Sequence, residues 1–200
     1  LRSFLKTLLF DRTFDVASYG FCLPNKGYKE LIEAVNILRN RNIKVRLNIF
    51  CALYNDEYNW FYDELCNLVD KFNLSRYVNI NNQYMNDGDT LNHLSLHDCL
   101  VFPYQFSNES SSAAVRNGLA SNVPVLVTPL PIFDDVSDAV SRLKGFTPED
   151  IADGIHQTYI NIKNHKSQSE KIKINQINKE FISEMKFSKV SQRFMRIIKS

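Results

Sequence analysis

Residues 100–136, LVFPYQFSNESSSAAVRNGLASNVPVLVTPLPIFDDV, decide the fold of this chain. Their pattern predicts a buried strand, a serine-rich turn, a helix, and a second buried strand that ends at prolines. In α/β proteins this order of elements forms an anion pocket, because unpaired backbone N–H groups and the positive end of the helix dipole meet at the helix N-terminus. The stretch therefore predicts a phosphate-binding site.

The turn holds three serines, Ser110, Ser111 and Ser112, directly after Glu109. A carboxylate at this point can accept hydrogen bonds from sugar hydroxyls, so the turn favours a phosphorylated, hydroxyl-rich ligand such as a sugar nucleotide. A second interpretation needs no ligand, because the serines would cap the helix and the glutamate would be favourable beside its positive end. Taken alone, the turn is compatible with both.

Strands and helices alternate along the rest of the chain. This alternation favours an α/β fold with a doubly wound parallel sheet of the Rossmann-like kind and right-handed crossovers. Beyond the sheet, apolar residues at helical spacing predict a helical C-terminal extension. The predicted strands are 15–23, 43–50, 77–80, 99–102 and 124–127, and the predicted helices begin near residues 26, 61, 86, 110 and 151.

Ligands of a doubly wound sheet bind beyond the carboxyl ends of its strands, near the point where the strand order reverses. Lys26 follows the first predicted strand, and the serine turn follows the fourth. A cation opposite the amides of a helix N-terminus forms a clamp for a diphosphate. The loops expected at this edge are 20–27, 51–56, 81–86, 104–112 and 128–135.

Composition indicates an ordinary globular chain, with 44% hydrophobic and 23% charged residues and a formal net charge of +2. This balance gives no sign of a nucleic-acid partner. Residues 161–200 hold ten basic and three acidic side chains, whereas residues 1–160 hold 14 and 19. We interpret the basic end as a solvated helix face, and a contact with an anionic membrane surface or a partner domain is the alternative.

The cysteines are widely spaced, lie beside apolar runs and form no CxxC pair. This pattern predicts buried thiols in a reducing compartment, so we expect a cytoplasmic protein, with peripheral attachment to the inner face of the membrane as an alternative. No stretch approaches the roughly 18 apolar residues that would span a bilayer. The four cysteines are Cys22, Cys51, Cys66 and Cys99.

Two segments resemble a known family. YGFCLPNKGYKELIEAV, residues 19–35, resembles the Gly-Arg-Leu-x-x-x-Lys-Gly segment and following helix of the family-4 retaining glycosyltransferases, the glycosyl transferases group 1. VFPYQFSNESSSAAVRNGLASNVPVLVT, residues 101–128, resembles their Pro-Ser, Glu-Gly-Phe-Gly, Glu-Ala-x-Ala and Gly-x-Pro-Val-Val-x-Thr segment. The resemblance covers residues 15–140 and implies the C-terminal, donor-binding half of a GT-B fold.

The resemblance implies a role for each matching residue. Lys26 would contact the donor diphosphate and Glu109 the hydroxyls of the donor sugar, which makes these two the catalytic candidates. The serine turn would replace a glycine-rich phosphate turn. Asn117 would hold the ribose, and Gln83 and Tyr84 would flank the base. The binding candidates are Gly20, Gln83, Tyr84, Ser110, Ser111, Ser112 and Asn117.

The chain departs from the family pattern at three positions. Phe21 stands where an arginine partners the lysine, so one cation for the diphosphate is missing. Asn117 replaces an acid, although its amide oxygen still accepts a hydrogen bond from ribose. Asn122 replaces a glycine. Arg116 adds a cation near the site, to which we assign no role.

The resemblance implies a hexosyltransferase that transfers sugar from a nucleotide-diphosphate sugar to a glycan or lipid-linked acceptor in polysaccharide biosynthesis, with retention of configuration. Lys26 and the serine-turn amides would stabilise the leaving diphosphate, so no metal or other cofactor is required. The alternative, favoured by Phe21 and Asn117, is a degenerate, non-catalytic GT-B-like binding or scaffold domain. A GT-B-shaped epimerase or phosphorylase is a third possibility.

The expected organisation has three parts: a lead-in helix or linker at 1–14, a Rossmann-like nucleotide-sugar-binding domain at 15–165, and C-terminal helices at 166–200. These last helices would pack on the domain or on a missing N-terminal Rossmann-like domain. Because the chain begins with Leu1 rather than methionine, we expect a fragment. Since the first predicted strand begins near residue 15, we expect the second domain to be missing, and the 200 residues alone to bind donor weakly and to turn over little or nothing.

Three further groups of residues each allow two interpretations, one as part of a binding site and one with a purely structural role. His93 and His97 stand four apart on a predicted helix, a spacing that suits zinc, but a third ligand is not evident and we favour surface or capping roles. Asp134 and Asp135 could touch the donor sugar, and we favour a helix cap. Trp60 could stack on a base or sugar, and we favour packing.

Overall fold

The computed structural model describes residues 12–163, 180, 183–184 and 187–199 of the chain. Six strands in this part form one sheet: β1 (Phe14–Phe21), β2 (Val45–Ala52), β3 (Val78–Asn81), β4 (Cys99–Phe102), β5 (Val125–Val127) and β6 (Ser141–Arg142). Their order is β3-β2-β1-β4-β5-β6, and every neighbouring pair is parallel. The order reverses between β1 and β4, which confirms the predicted doubly wound, Rossmann-like α/β fold.

Helices connect the strands and cover both faces of the sheet. Short 3-10 turns, Pro24–Lys26, Asp56–Tyr58 and Pro131–Val136, lie in three of the connections. The helices in the described residues are α1 (Tyr28–Asn40), α2 (Asn59–Lys71), α3 (Asp87–Ser95), α4 (Ala113–Ala120), α5 (Pro148–Lys163) and α6 (Phe187–Lys199).

The core has two layers because successive side chains of a strand point to opposite faces of the sheet. Val16 of β1 packs among residues of α1, α2 and α5, whereas its neighbour Ala17 packs among residues of α3 and α4. All four residues of β4 are buried. Burial on both faces explains why this strand is a continuous apolar run in the sequence.

Most other element ends shift by one to three residues from the prediction, and three differences are informative. The sequence pattern does not indicate β6, because its two residues are polar and exposed. α3 ends at Ser95, so His97 lies beyond the helix instead of on it. α4 begins at Ala113 and not at residue 110, because Ser112 is the N-cap and its Oγ accepts a hydrogen bond from the Val115 N–H at 3.3 Å.

The cysteines are free thiols, with Cys22, Cys51 and Cys99 fully buried and Cys66 half-buried. This burial agrees with the sequence-based prediction. The expected lead-in helix lies almost wholly outside the described residues, as do residues 164–179 of the C-terminal part, of which α6 is described. Within the described ranges, no helix has the length and apolar character needed to cross a membrane.

Candidate functional site

A cleft of about 210 Å³ lies at the carboxyl ends of β1 and β4, where the strand order reverses. Loops from both halves of the sheet line it, as the position of the switch point predicts. Ser110 and Ser111 are exposed and lie outside its lining. The lining includes the other predicted site residues, which are Gly20, Lys26, Gln83, Tyr84, Glu109, Ser112 and Asn117.

The 3-10 turn after β1 directs Lys26 into this cleft. Gly27 follows it with φ of +74°, and a Cβ at this position would overlap the carbonyl oxygen of Pro103. Such close backbone approach requires glycine. The Gln105 N–H donates to the Asn25 carbonyl at 2.9 Å, so the turn is fixed to the loop after β4 and the Lys26 side chain is buried.

The Lys26 ammonium has few partners for a buried charge. Its Nζ lies 4.0 Å from Glu109 Oε2 and 4.0 Å from the centroid of the Tyr104 ring. Burial lowers the pKa of Lys26 below its ordinary value, and the Glu109 carboxylate offsets part of that shift. A buried cation with a single distant carboxylate is poorly compensated, so an incoming anion would relieve its desolvation.

Glu109 lies at the mouth of the cleft, with its side chain 64% exposed. The Ser107 Oγ accepts a hydrogen bond from the Glu109 N–H at 3.1 Å, which fixes the backbone of this residue. Its 4.0 Å separation from Lys26 is too long for a strong ion pair. The carboxylate is therefore free to accept hydroxyl donors from a ligand that enters the cleft.

The N-terminus of α4 forms the opposite wall. Ser112 caps the helix, and Ala113 and Ala114 line the cleft beside it. Small side chains at these positions let a ligand approach the unpaired N–H groups of the first turn. Asn117 lies one turn further along the same wall. The arrangement can bind an anion between the helix N-terminus and Lys26.

The sequence profile of the glycosyl transferases group 1 family matches residues 3–174. The chain belongs to this family. No curated protein matches the chain in sequence. Solved structures do share its fold, at identities low enough that the likeness concerns the fold alone.

A glycosyltransferase from Rickettsia africae ESF-5 superimposes with a TM-score of 0.76 at 12% identity, over 98% of this chain and 50% of that one. Anabaena Alr3699/HepE in complex with UDP and glucose gives 0.70 at 15% identity, over 99% and 51%. The C-terminal domain of LpcC from Francisella tularensis gives 0.68 at 14% identity, over 86% and 85%. The chain spans about half the length of the first two and most of the third, which fits the C-terminal half of a GT-B fold.

Phe21, at the position where the family resemblance implies an arginine, begins a row of aromatic side chains. Phe21 lines the cleft and is 44% exposed. Its ring meets Tyr54 edge-on at 5.3 Å between centroids, and Tyr54 meets Tyr58 at 6.4 Å. The second cation near the site, Arg116, is engaged elsewhere, because it pairs with Asp135. Lys26 is therefore the cation that lines the cleft among the described residues.

Replacing Phe21 with arginine is expected to tighten UDP binding about tenfold, because the new guanidinium would form a charge-assisted contact with the diphosphate. The affinity should also fall more steeply with salt. Isothermal titration calorimetry at two ionic strengths measures both effects. Tyr54→Arg is the control, since it adds the same charge one ring further from Lys26; equal affinities of Phe21→Arg and the unmodified chain would contradict the prediction.

Two acidic residues expected to cap a helix form ion pairs instead. Asp134 accepts from Arg142 at 2.5 Å, and Asp135 pairs with Arg116. The residue that precedes their 3-10 turn, Leu130, provides no side-chain cap. The capping prediction is wrong because both acids lie inside the 3-10 turn Pro131–Val136 and not at its start. Their arginine partners come from separate elements, α4 and β6, which the tertiary fold brings close to the turn.

His97 uses both ring nitrogens in hydrogen bonds. Its Nε2 lies 3.0 Å from Asn48 Nδ2, and its Nδ1 lies 2.9 Å from the His93 carbonyl oxygen. No cluster of three or more possible metal-ligating side chains occurs in the described residues.

Trp60, for which we expected packing, meets the Phe61 ring edge-on with 5.6 Å between the ring centroids, but its side chain remains 56% exposed.

The sequence analysis missed Tyr104, which is buried at the base of the cleft. Its ring contacts Lys26, and its hydroxyl lies 3.2 Å from Ser112 Oγ. A signal is present in the sequence, because Tyr104 follows a buried strand and a proline at the sheet edge. The sequence does not show that Lys26 is its contact partner, because Lys26 lies on a loop far away along the chain.

Proposed function

We propose that this cleft binds the diphosphate and sugar of a nucleotide sugar, and that the chain is the donor-binding half of a retaining glycosyltransferase. The observation that carries the proposal is the meeting of the Lys26 ammonium, the Glu109 carboxylate and the α4 N-terminus at the switch point of the sheet. Membership of glycosyl transferases group 1 supports glycosyl transfer as the reaction class.

The charged and polar groups of the cleft would contact different parts of the donor. Negative charge grows on the diphosphate as the bond to the sugar breaks, and Lys26 and the first amides of α4 would stabilise it. Glu109 would orient the sugar through its hydroxyls, and Asn117 would accept a hydrogen bond from the ribose. Gln83 and Tyr84 would flank the base. The scheme uses only side-chain and backbone groups, without a metal ion or other cofactor.

A second domain is part of the proposal. The cleft volume of about 210 Å³ is below the roughly 300–1,000 Å³ of pockets that enclose a ligand, and the chain spans about half of its Rickettsia and Anabaena relatives. An N-terminal Rossmann-like domain would close the cleft and bring the acceptor, a glycan or a lipid-linked sugar in polysaccharide biosynthesis. The C-terminal helices would pack on this chain or on that domain with their basic face in solvent, and contact of this face with an anionic membrane surface is the alternative.

Thermal unfolding of the chain with UDP, GDP, ADP, CMP and their sugar conjugates tests donor binding. We expect one nucleotide and its sugar conjugate to raise the melting temperature selectively, because a ligand stabilises the state that it binds. Glu109→Gln should reduce the extra stabilisation given by the sugar conjugate, because an amide accepts hydroxyl hydrogen bonds more weakly than a carboxylate, and should keep the smaller effect of the free nucleotide. The reason is that Glu109 faces the sugar and not the diphosphate.

Glu149→Gln is the matched control, because Glu149 is exposed in the first turn of α5. It should behave like the unmodified chain toward every compound. A panel in which no nucleotide shifts the melting temperature at millimolar concentration would count against a donor site in this chain. A shift that Glu109→Gln leaves intact for the sugar conjugate would reject its role in sugar recognition.

A non-catalytic, degenerate domain is the second candidate, and Phe21 is the observation that favours it. An aromatic ring takes the place of a diphosphate cation in the cleft lining. The two candidates differ in one measurable respect, which is transfer of sugar from donor to acceptor by the chain together with its N-terminal domain. Transfer that is lost on Glu109→Ala supports the enzyme, and donor binding without any transfer supports the degenerate domain.

A further inference from the structure

Tyr104 is held rigidly at the base of the cleft. It follows β4, is 2% exposed, and its ring packs against Phe133 with 5.3 Å between centroids. Its carbonyl oxygen accepts a hydrogen bond from Thr128 Oγ1 at 2.6 Å. The residue is therefore fixed from the backbone and from the ring, and neither depends on a bound ligand.

Two contacts of Tyr104 reach the proposed phosphate-binding groups. The face of its ring lies 4.0 Å from Lys26 Nζ, within the range of a cation–π interaction. Its hydroxyl lies 3.2 Å from Ser112 Oγ, the cap of α4. Burial raises the pKa of Tyr104 to about 12, so the hydroxyl keeps its proton and can donate.

The backbone alone does not place the Lys26 ammonium. The hydrogen bond between Gln105 and Asn25 fixes the 3-10 turn, but four methylene groups separate the lysine backbone from its charge. Glu109 is a weak anchor because it is mostly exposed and 4.0 Å away. The Tyr104 ring is the buried, rigid surface against which the ammonium rests.

We propose that Tyr104 is the positioning residue of this cleft, whose ring holds the Lys26 ammonium and whose hydroxyl holds the N-terminus of α4, so that both meet one phosphate group in a fixed geometry. The functional part of this inference, binding of a phosphate group, rests on the proposed donor site. The arrangement itself is a property of the free chain and can be measured there. Preorganised charges of this kind need no rearrangement when the ligand arrives.

The first experiment measures the pKa of Lys26 in the free chain by NMR of its side chain, assigned with Lys26→Met. Tyr104→Phe keeps the ring and removes the hydroxyl, whereas a ring-fluorinated phenylalanine at position 104 keeps the shape and weakens the negative face of the ring. We expect the fluorinated residue to lower the pKa of Lys26 by about one unit relative to Tyr104→Phe, because the ring stabilises the charged form. Tyr104→Leu should lower it at least as far.

The second experiment measures binding of inorganic pyrophosphate, which presents the diphosphate without base or sugar. The fluorinated variant should bind it about tenfold more weakly than Tyr104→Phe, and its binding should be lost at a lower pH because Lys26 deprotonates earlier. A residue that only filled the core would leave both the Lys26 titration and this pH profile unchanged between two rings of the same shape.

The outcomes separate this inference from the proposed function. If Lys26 titrates at the same pH with the normal and fluorinated rings, the positioning role of Tyr104 is wrong, whatever the chain binds. If the fluorinated ring shifts the titration but pyrophosphate and the nucleotide panel do not bind, the positioning of Lys26 stands and the donor site is rejected. Tyr104→Phe keeps the experiment interpretable even if Tyr104→Leu fails to fold.

Discussion

Replacing Lys26 with methionine is expected to weaken binding of a nucleoside diphosphate about a hundredfold, because the variant loses a charge-assisted contact with the phosphates in a partly desolvated site. The free chain should be at least as stable as the unmodified one. Lys26 is a buried charge whose carboxylate neighbour, Glu109, is 4.0 Å away and mostly exposed. Methionine has a similar shape and no charge to desolvate.

Calorimetric titration with UDP and unfolding in urea measure the two halves of this prediction. The control is Lys144→Met, which removes the same charge from an exposed position on the β6 side of the sheet. It should change neither quantity. The combination of lost binding and retained stability is the informative result, because a lysine that served only the fold would lower the free energy of unfolding when replaced.

The free energy of unfolding and the affinity for a diphosphate are expected to change with pH in opposite directions. Burial lowers the pKa of Lys26 in the folded chain, so the unfolded chain binds more protons between that pKa and the ordinary lysine value of about 10.4. Across this window the free energy of unfolding rises with pH. Affinity for a diphosphate falls over the same range, because the ammonium that attracts it is lost. Opposite slopes for stability and affinity are therefore expected.

The fold was accessible from the sequence because its decisive signals are local. β4 is apolar at every position and buried on both faces, so its bounds were predicted without error. β6 was missed because a two-residue strand of polar, exposed residues has no periodicity. The start of α4 was placed three residues early because three consecutive serines can each cap a helix. The serine that forms the cap, Ser112, is the one that Tyr104 contacts, and this contact depends on the tertiary fold.

Site residues were predictable to the extent that topology alone brings them together. Lys26 follows β1 and Glu109 precedes α4 at one edge, so a parallel sheet places both in one cleft whatever their side chains do. Asn117 lies inside α4, and it was expected in the site from the family resemblance instead. Contacts between loops were not predictable. The ring of Tyr104 against Lys26 and the pairing of Arg116 with Asp135 depend on distances between elements, which no spacing along the chain encodes.

Replacing Gly27 with alanine is expected to lower the free energy of unfolding by about 3 kcal/mol or more, from backbone strain at a positive φ and from overpacking. Gly27 has φ of +74°, and an added Cβ would overlap the backbone carbonyl of Pro103, which cannot rotate away as a side chain could. The turn must then separate from the loop after β4. That movement breaks the hydrogen bond from Gln105 to Asn25.

Gly88→Ala is the matched control. Gly88 lies in α3, and the nearest atom to an added Cβ is Asn86 Oδ1 at 3.5 Å, an ordinary contact. Alanine at this helical position should raise stability by about 0.5–1 kcal/mol. Urea unfolding gives both values. Because Lys26 adjoins Gly27, the Gly27 variant should also lose diphosphate affinity under conditions in which it remains folded. Equal stability of Gly27→Ala and the unmodified chain would show that the turn does not press against the loop after β4. That result would also contradict the inference that this contact fixes the position of Lys26.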